Sequence, residues 1–303
     1  MKESPIRYLL QFIPSNFERI NSKMKDILSE DYKSGKIKNI INYRTTDRFE
    51  TPFFDCKNKQ INISELFCSY LWTICYFVYV INEEINKDKV SKIPFNGFLD
   101  LNDSVKSNAL KLFEWGLSLH DKSSEWPDEL PYPNKSAVAD EGRYIKETNG
   151  IFVTTIVFIL YHEYAHAVLG HVKDGLHSPV IEVEADNYAR EIFLSPNENT
   201  NIELKSLALT ISFLSTLFLQ EKSVFLGPIT THPYADDRIK SSLSWIENYL
   251  PSDKIQYVYE LSCNALYLYF QINDIHVELP IEYNDAKIMF YKMLNIVDEN
   301  RMI

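Results

Sequence analysis

Glycine is scarce in this chain. Only 8 of its 303 residues are glycine, against 19 tyrosines and 18 phenylalanines, a balance that disfavours a β architecture built on Gly-rich turns and favours packed helices. Cysteine is scarce as well. Cys56, Cys68, Cys75 and Cys263 are widely spaced, with no CxxC pair, which excludes a disulfide framework and suits a reducing cytosol. Cys68 and Cys75 stand seven apart, on one side of a helix, and read as small buried hydrophobes. Positive charge is short: the formal net charge is −11 and there is no long Lys/Arg run. Such a surface repels phosphate backbones, so no nucleic acid is expected as a partner. Lys23, Lys25, Lys33, Lys36 and Lys38 are interleaved with acids and read as a solvated helix face. Long hydrophobic runs are missing too. Leu66–Ile81 and Ser206–Gln220 are uncharged over 16 and 15 residues, whereas a membrane-spanning helix needs ~20. Both read as buried core helices, and membrane association is not expected. The first residues hold no signal-like apolar stretch, being cut by Arg7, Gln11 and Pro14. The expected location is cytoplasmic.

What is present is a mainly α (α+β) pattern with room for at most a small sheet. Residues 15–43 show helical spacing. Residues 64–85 read as a long buried helix opened by Ser64 and Glu65, and 102–120 as an amphipathic one with Leu110, Phe113 and Leu117 on one face. The stretch "SSEWPDELPYPNKSAVADEG" (123–142) carries three prolines and many turn formers, and is read as a linker between a helical N-terminal region (1–122) and a second domain (143–303). Beyond it, "RYIKET" (143–148) reads as a short strand and Asn149–Gly150 as a turn. Residues 151–171, 180–194, 203–220, 235–250, 252–271 and 284–299 are helix candidates.

The chemistry concentrates at "YHEYAHAVLGH" (161–171), which holds three of the seven histidines. His162 and His166 are four apart, which on a helix is ~40° of rotation and ~6 Å of rise. Both imidazoles therefore project from one face and can meet one ion at ~2.0–2.1 Å. Glu163 sits beside the first of them. This is HExxH: a bound zinc ion brings the pKa of water towards ~7, and the glutamate takes the proton as hydroxide attacks a carbonyl. Chance produces the pattern in on the order of one in a hundred such chains, so context decides. The preceding run "IFVTTIVFILY" is apolar almost all round, and a buried His pair beside a buried Glu is costly without a metal or full hydrogen bonding.

Catalytic zinc normally takes three protein ligands, and three candidates follow the motif. His171 comes nine residues after His162. The metzincin pattern HExxHxxGxxH fails, because Leu169 and Val172 occupy its glycine and third-histidine positions. His177 falls in a loop. The third candidate is Glu182 in "VIEVEADNYAREI" (180–192), on a helix that follows Pro179 and can be laid across the first. Asp186, one turn on, is placed to accept a hydrogen bond from a ligand histidine, with Ala185 allowing close packing. Glu184 points roughly opposite Glu182 and is expected to face elsewhere.

HExxH followed by ExxAD resembles the gluzincin clan of zinc peptidases, and "EVEADNYA" looks like a segment of the HtpX-like and CAAX-prenyl protease group. "THPYADDRI" (231–239) matches that group's HPxxxxR motif through His232, Pro233 and Arg238. These elements cover 162–239. The resemblance implies a gluzincin-like core in which an HExxH helix is crossed by an ExxxD helix. It makes Glu182 the third ligand of one Zn2+ ion and Asp186 the partner of a ligand histidine. His232 becomes a transition-state stabiliser or gating ligand near the metal, and Arg238 a brace for its loop. That group carries clear membrane spans, which this chain lacks by sequence. In length and in "HEYAHAVLGH", including His171, the chain is more similar to the phage-exclusion protease Lit family. That resemblance places His171 near the site as a supporting or substrate-facing group. It implies a cytoplasmic zinc endopeptidase acting on an intracellular protein, a host translation factor in anti-phage defence. A regulated protease of this kind implies a protein or peptide activator, with residues 1–122 as the candidate cover or recognition region. The alternatives are a membrane-associated HtpX-like quality-control protease and a non-catalytic binding module whose zinc only stabilises the fold.

Overall fold

A computed structural model of the chain describes residues 3–87, 104–136, 139–171, 178–195, 201–220, 225, 232–277 and 285–301. The chain opens with three helices, α1 (Arg7–Leu10), α2 (Ile13–Arg19) and α3 (Met24–Ser34), followed by strands β1 (Asn39–Arg44), β2 (Phe53–Asp55) and β3 (Gln60–Ser64). Helices α4 (Glu65–Lys87), α5 (Ser104–Ser118), α6 (Ala139–Leu169), α7 (Pro179–Leu194), α8 (Ile202–Phe218), α9 (Ala235–Ile246), α10 (Ser252–Ile272) and α11 (Ala286–Arg301) follow. The fold is mainly α with one small sheet.

The sheet has strand order β1-β3-β2, with β1 parallel and β2 antiparallel to β3. It lies within residues read from sequence as helical. The helical spacing over 15–43 is realised only as α2 and α3. Gly35, left-handed at φ +69°, ends α3, because only glycine enters that region at no steric cost. The following residues carry Ile37 and Ile40 into the core, and β-branched residues suit the pleated strand that begins there. Residues 1–122 are therefore not uniformly helical.

The second correction concerns 143–148. No strand or turn forms there, and α6 runs unbroken from Ala139 to Leu169. Tyr144, Ile145, Thr148 and Phe152 are all buried, a helical stripe that outweighs the cost of about 1 kcal/mol for a mid-helix glycine. Asn149, read as a turn residue, is held within the helix. Its Oδ1 accepts from Trp72 Nε1 at 2.8 Å and its Nδ2 donates to the Pro133 carbonyl at 2.8 Å. Asp140 and Glu141 in the first turn complement the helix dipole. The helix thus begins inside the stretch read as a linker.

Helix α6 packs against α4, α7, α8 and α2. Helices α4 and α6 are long and apolar enough to span a membrane, but their apolar windows are 94% and 67% buried within the protein. Burial in the core accounts for their composition. At the α4–α5 crossing Gly116 is required by space: a Cβ there would lie 2.0 Å from Thr73 Oγ1.

Candidate active site

The site forms at the C-terminal end of α6, where the first turn of α7 meets it. Helix α7 is capped by Ser178, whose side chain accepts from Ile181 N, and Pro179 stands at its first position, both standard helix starts. That start places Glu182 in the first turn, buried to 3% exposure.

His162 Nε2 lies 3.2 Å from His166 Nε2 and 3.2 Å from Glu182 Oε2, and His166 Nε2 lies 3.7 Å from Glu182 Oε1. One ligand atom from each of these residues falls within 4.8 Å of the others. Tetrahedral coordination with bonds of ~2.0–2.1 Å separates ligand atoms by ~3.3 Å, so the three side chains fit a single metal ion. His177, the loop candidate, lies outside the described residues.

The remaining ring nitrogens decide which way the lone pairs point. His162 Nδ1 is 2.8 Å from Asp186 Oδ1. Asp186 in turn accepts from Arg238 Nε at 2.8 Å and Arg238 Nη2 at 2.7 Å. Burial works to raise the Asp186 pKa, but Arg238 and His162 hold it well below the usual carboxylate range. An ionised Asp186 holds a proton on His162 Nδ1, which makes Nε2 the nitrogen turned to the cluster and the one that would bind a metal. Arg238 also covers the Phe213 ring at 4.7 Å, so it is fixed on two sides. Sequence reading had it bracing a loop; its contact is the carboxylate behind the first histidine.

Within the protein's own charges the two imidazoles diverge. Burial pushes the His162 pKa down, but Asp186 and Glu182 raise it to about 9. Burial and the neighbouring His162 lower His166 to about 4. Burial opposes ionisation of Glu182 as well, yet its hydrogen bond to His162 and the surrounding histidines bring it to about 2. An anionic carboxylate facing two imidazoles is a donor set suited to a divalent cation.

Glu163 points to a different neighbour. Its Oε2 accepts from the Phe54 backbone N–H at 3.0 Å. Phe54 lies in β2, an edge strand, and this N–H faces α6 rather than β3. Burial raises the Glu163 pKa to about 7, against the pull of His162. Nothing in the motif pointed to Phe54, which lies 109 residues away. The flanking tyrosines are also anchored: Tyr161 Oη donates to the Phe17 carbonyl at 2.5 Å, and Tyr164 Oη to the Asp31 carboxylate. The "YHEY" pattern carried that signal, since a buried tyrosine needs a partner for its hydroxyl.

His232 is half-exposed at the rim, with Nε2 3.6 Å from Glu182 Oε1. His171 does not join the cluster. Its Nδ1 lies 3.2 Å from His166 Nδ1, and its Nε2 lies 3.1 Å from Glu184 Oε2. Glu184 does face away from the cluster, as its position on α7 requires, but it meets the returning His171.

The family model described as Peptidase U49 matches residues 61–261, a segment running from β3 into the first half of α10. The chain belongs to the Peptidase U49 family. A relative in Escherichia coli (strain K12), "Cell death peptidase", is 29% identical over 198 residues. That match spans 62% of this chain and 65% of the relative, a little under two thirds of its length. No solved structure gives a significant match. The family segment contains every residue of the cluster, together with Asp186 and Arg238, but begins after Phe54.

Proposed function

We propose that this U49 member is a zinc-dependent endopeptidase that hydrolyses peptide bonds in an intracellular protein. The convergence of His162, His166 and Glu182, with Glu163 alongside but outside the ligand set, carries the reading. These three would hold the ion, and a bound zinc would act as a Lewis acid towards a carbonyl and make water acidic near neutral pH. Glu163 serves as the general base, taking the proton from the attacking water and returning it to the leaving amine. A carboxylate raised to about 7 by burial is matched to that task. Phe54 N–H aims one oxygen of Glu163, and the other would take the proton. His232, at the rim, is placed to donate to a developing oxyanion.

An extended substrate would lie along β2, on the side where Phe54 N–H turns towards Glu163. Residues 143–148, read from sequence as a strand, are helical and offer no edge. By the resemblance to the phage-exclusion protease family, the substrate is a host translation factor in anti-phage defence, and the relative's name, a cell death peptidase, is in keeping with a cleavage that harms the cell. Control by a protein or peptide activator and a cytoplasmic location complete the proposal.

The test is to express wild type and Glu163→Gln side by side under phage challenge and map new protein termini across the proteome, with metal content measured on both. Termini specific to wild type, at equal zinc content, are expected. Identical termini in both samples would remove the endopeptidase reading and leave a zinc-stabilised binding module.

A further inference from the structure

The end of α6 closes in a way that the hydrolytic scheme does not use. Leu169 is the last helical residue, Gly170 is left-handed at φ +75°, and His171 N–H donates to the His166 carbonyl at 3.2 Å. This is the long bond of a Schellman turn, available because glycine accepts positive φ. The turn folds His171 back over the ring of His166, with ring centroids 5.3 Å apart at 69°. The His171 side chain is only 9% exposed, although it follows the helix end.

We propose that Glu184 is a positioning residue for the metal ligand His166, acting through His171. The inference rests on the metal reading of the site. Glu184 Oε2, 3.1 Å from His171 Nε2, accepts a hydrogen bond from this nitrogen. His171 Nδ1 is then an acceptor, and at 3.2 Å it fixes the proton of His166 on Nδ1. The His166 Nε2 lone pair is left turned into the cluster, 3.2 Å from His162 Nε2. Both ligand histidines are therefore tautomer-locked, His162 directly by Asp186 and His166 through an intervening imidazole. Outer partners of this kind orient a ligand and raise its basicity.

The test is zinc affinity, measured on the purified full chain by competition with a chromophoric chelator, for wild type, Glu184→Gln, His171→Ala and the double variant. Glu184→Gln is expected to weaken zinc binding by about tenfold, the lower end for such partners, and His171→Ala by at least as much. The double variant should match His171→Ala alone, because the two act in one chain. In the cobalt(II)-loaded protein the visible ligand-field bands should shift alike in both single variants. Metal-free thermal unfolding of Glu184→Gln should match wild type, which separates positioning from loss of fold. If wild type binds one zinc and Glu184→Gln binds it equally tightly, or if the double variant loses the sum of both effects, the relay is overturned and the metal site stands. If wild type binds no zinc, both fall together.

Discussion

The two histidines of the cluster are supported in opposite ways. Behind His162 stand Asp186 and Arg238, with side chains only 3% and 10% exposed, joined by a two-pronged ion pair across 52 residues of chain. Behind His166 stand His171 and Glu184, drawn from one helix end and the start of the next, with Glu184 58% exposed. The first support is part of the core, so altering it disturbs stability and metal binding together. The second is a surface device, which can tune a ligand without holding up the fold. A single motif of five residues thus contains one histidine backed by an enclosed ion pair and one whose outer partner is exposed.

The largest effect should come from breaking the buried side. Asp186→Asn leaves Arg238 in the core without its counter-charge and offers His162 an amide in place of an anion. Removing one member of a buried pair costs about 3–5 kcal/mol, and chemical denaturation of the metal-free protein should show a loss of that order beside weakened zinc binding. A variant as stable as wild type would mean that the two supports do not differ in kind. Glu184→Gln is the counterpart: its stability should stay within about 0.5 kcal/mol of wild type while zinc affinity falls.

The same contrast explains what could be read from sequence. HExxH is legible because helical geometry alone puts His162 and His166 on one face, and Glu182 with Asp186 because four residues on a second helix repeat that geometry. The long apolar helices were legible from composition. The failures arise where distance along the chain or a local turn decides. Arg238 could be placed near the site by its motif, but its bond to Asp186 depends on how α9 meets α7. Phe54 contributes a backbone N–H, which no side-chain pattern reveals. Glu184 was placed correctly relative to Glu182, but the left-handed turn at Gly170 brings His171 to it. Residues 143–148 were misread because Asn-Gly is a strong turn signal, and buried packing of Tyr144, Thr148 and Phe152 overrides it.

A smaller effect should follow from changing the turn without touching a polar atom. Among the described residues nothing lies within 4 Å of where a Gly170 Cβ would sit, so the expected cost of Gly170→Ala is backbone strain, about 1–2 kcal/mol for an L-residue in the left-handed region. Thermal unfolding should report that loss, and zinc affinity should fall less than in His171→Ala as the turn relaxes. Gly170→Asn should recover most of both, since asparagine enters this region more readily. An alanine variant that binds zinc as weakly as His171→Ala would show that the turn matters as much as the ring it carries. Unchanged stability would mean that α6 ends in another way.

The smallest effect is also the most discriminating, because it needs no second mutation on either side. Raising ionic strength from about 0.01 M to about 1 M shrinks the screening length from ~30 Å to ~3 Å. The carboxylate of Glu184 is more than half exposed and meets that screening, whereas Asp186 and Arg238 are enclosed. The ratio of zinc affinities between wild type and Glu184→Gln should therefore narrow with salt, as the charge that distinguishes them is screened. The stability deficit of Asp186→Asn should hold nearly constant over the same range. Taking ratios removes the salt dependence of zinc binding itself. Were the two deficits to fall in parallel, the pair behind His162 would be as open to solvent as the pair behind His166, and the distinction between a core support and a surface one would be lost.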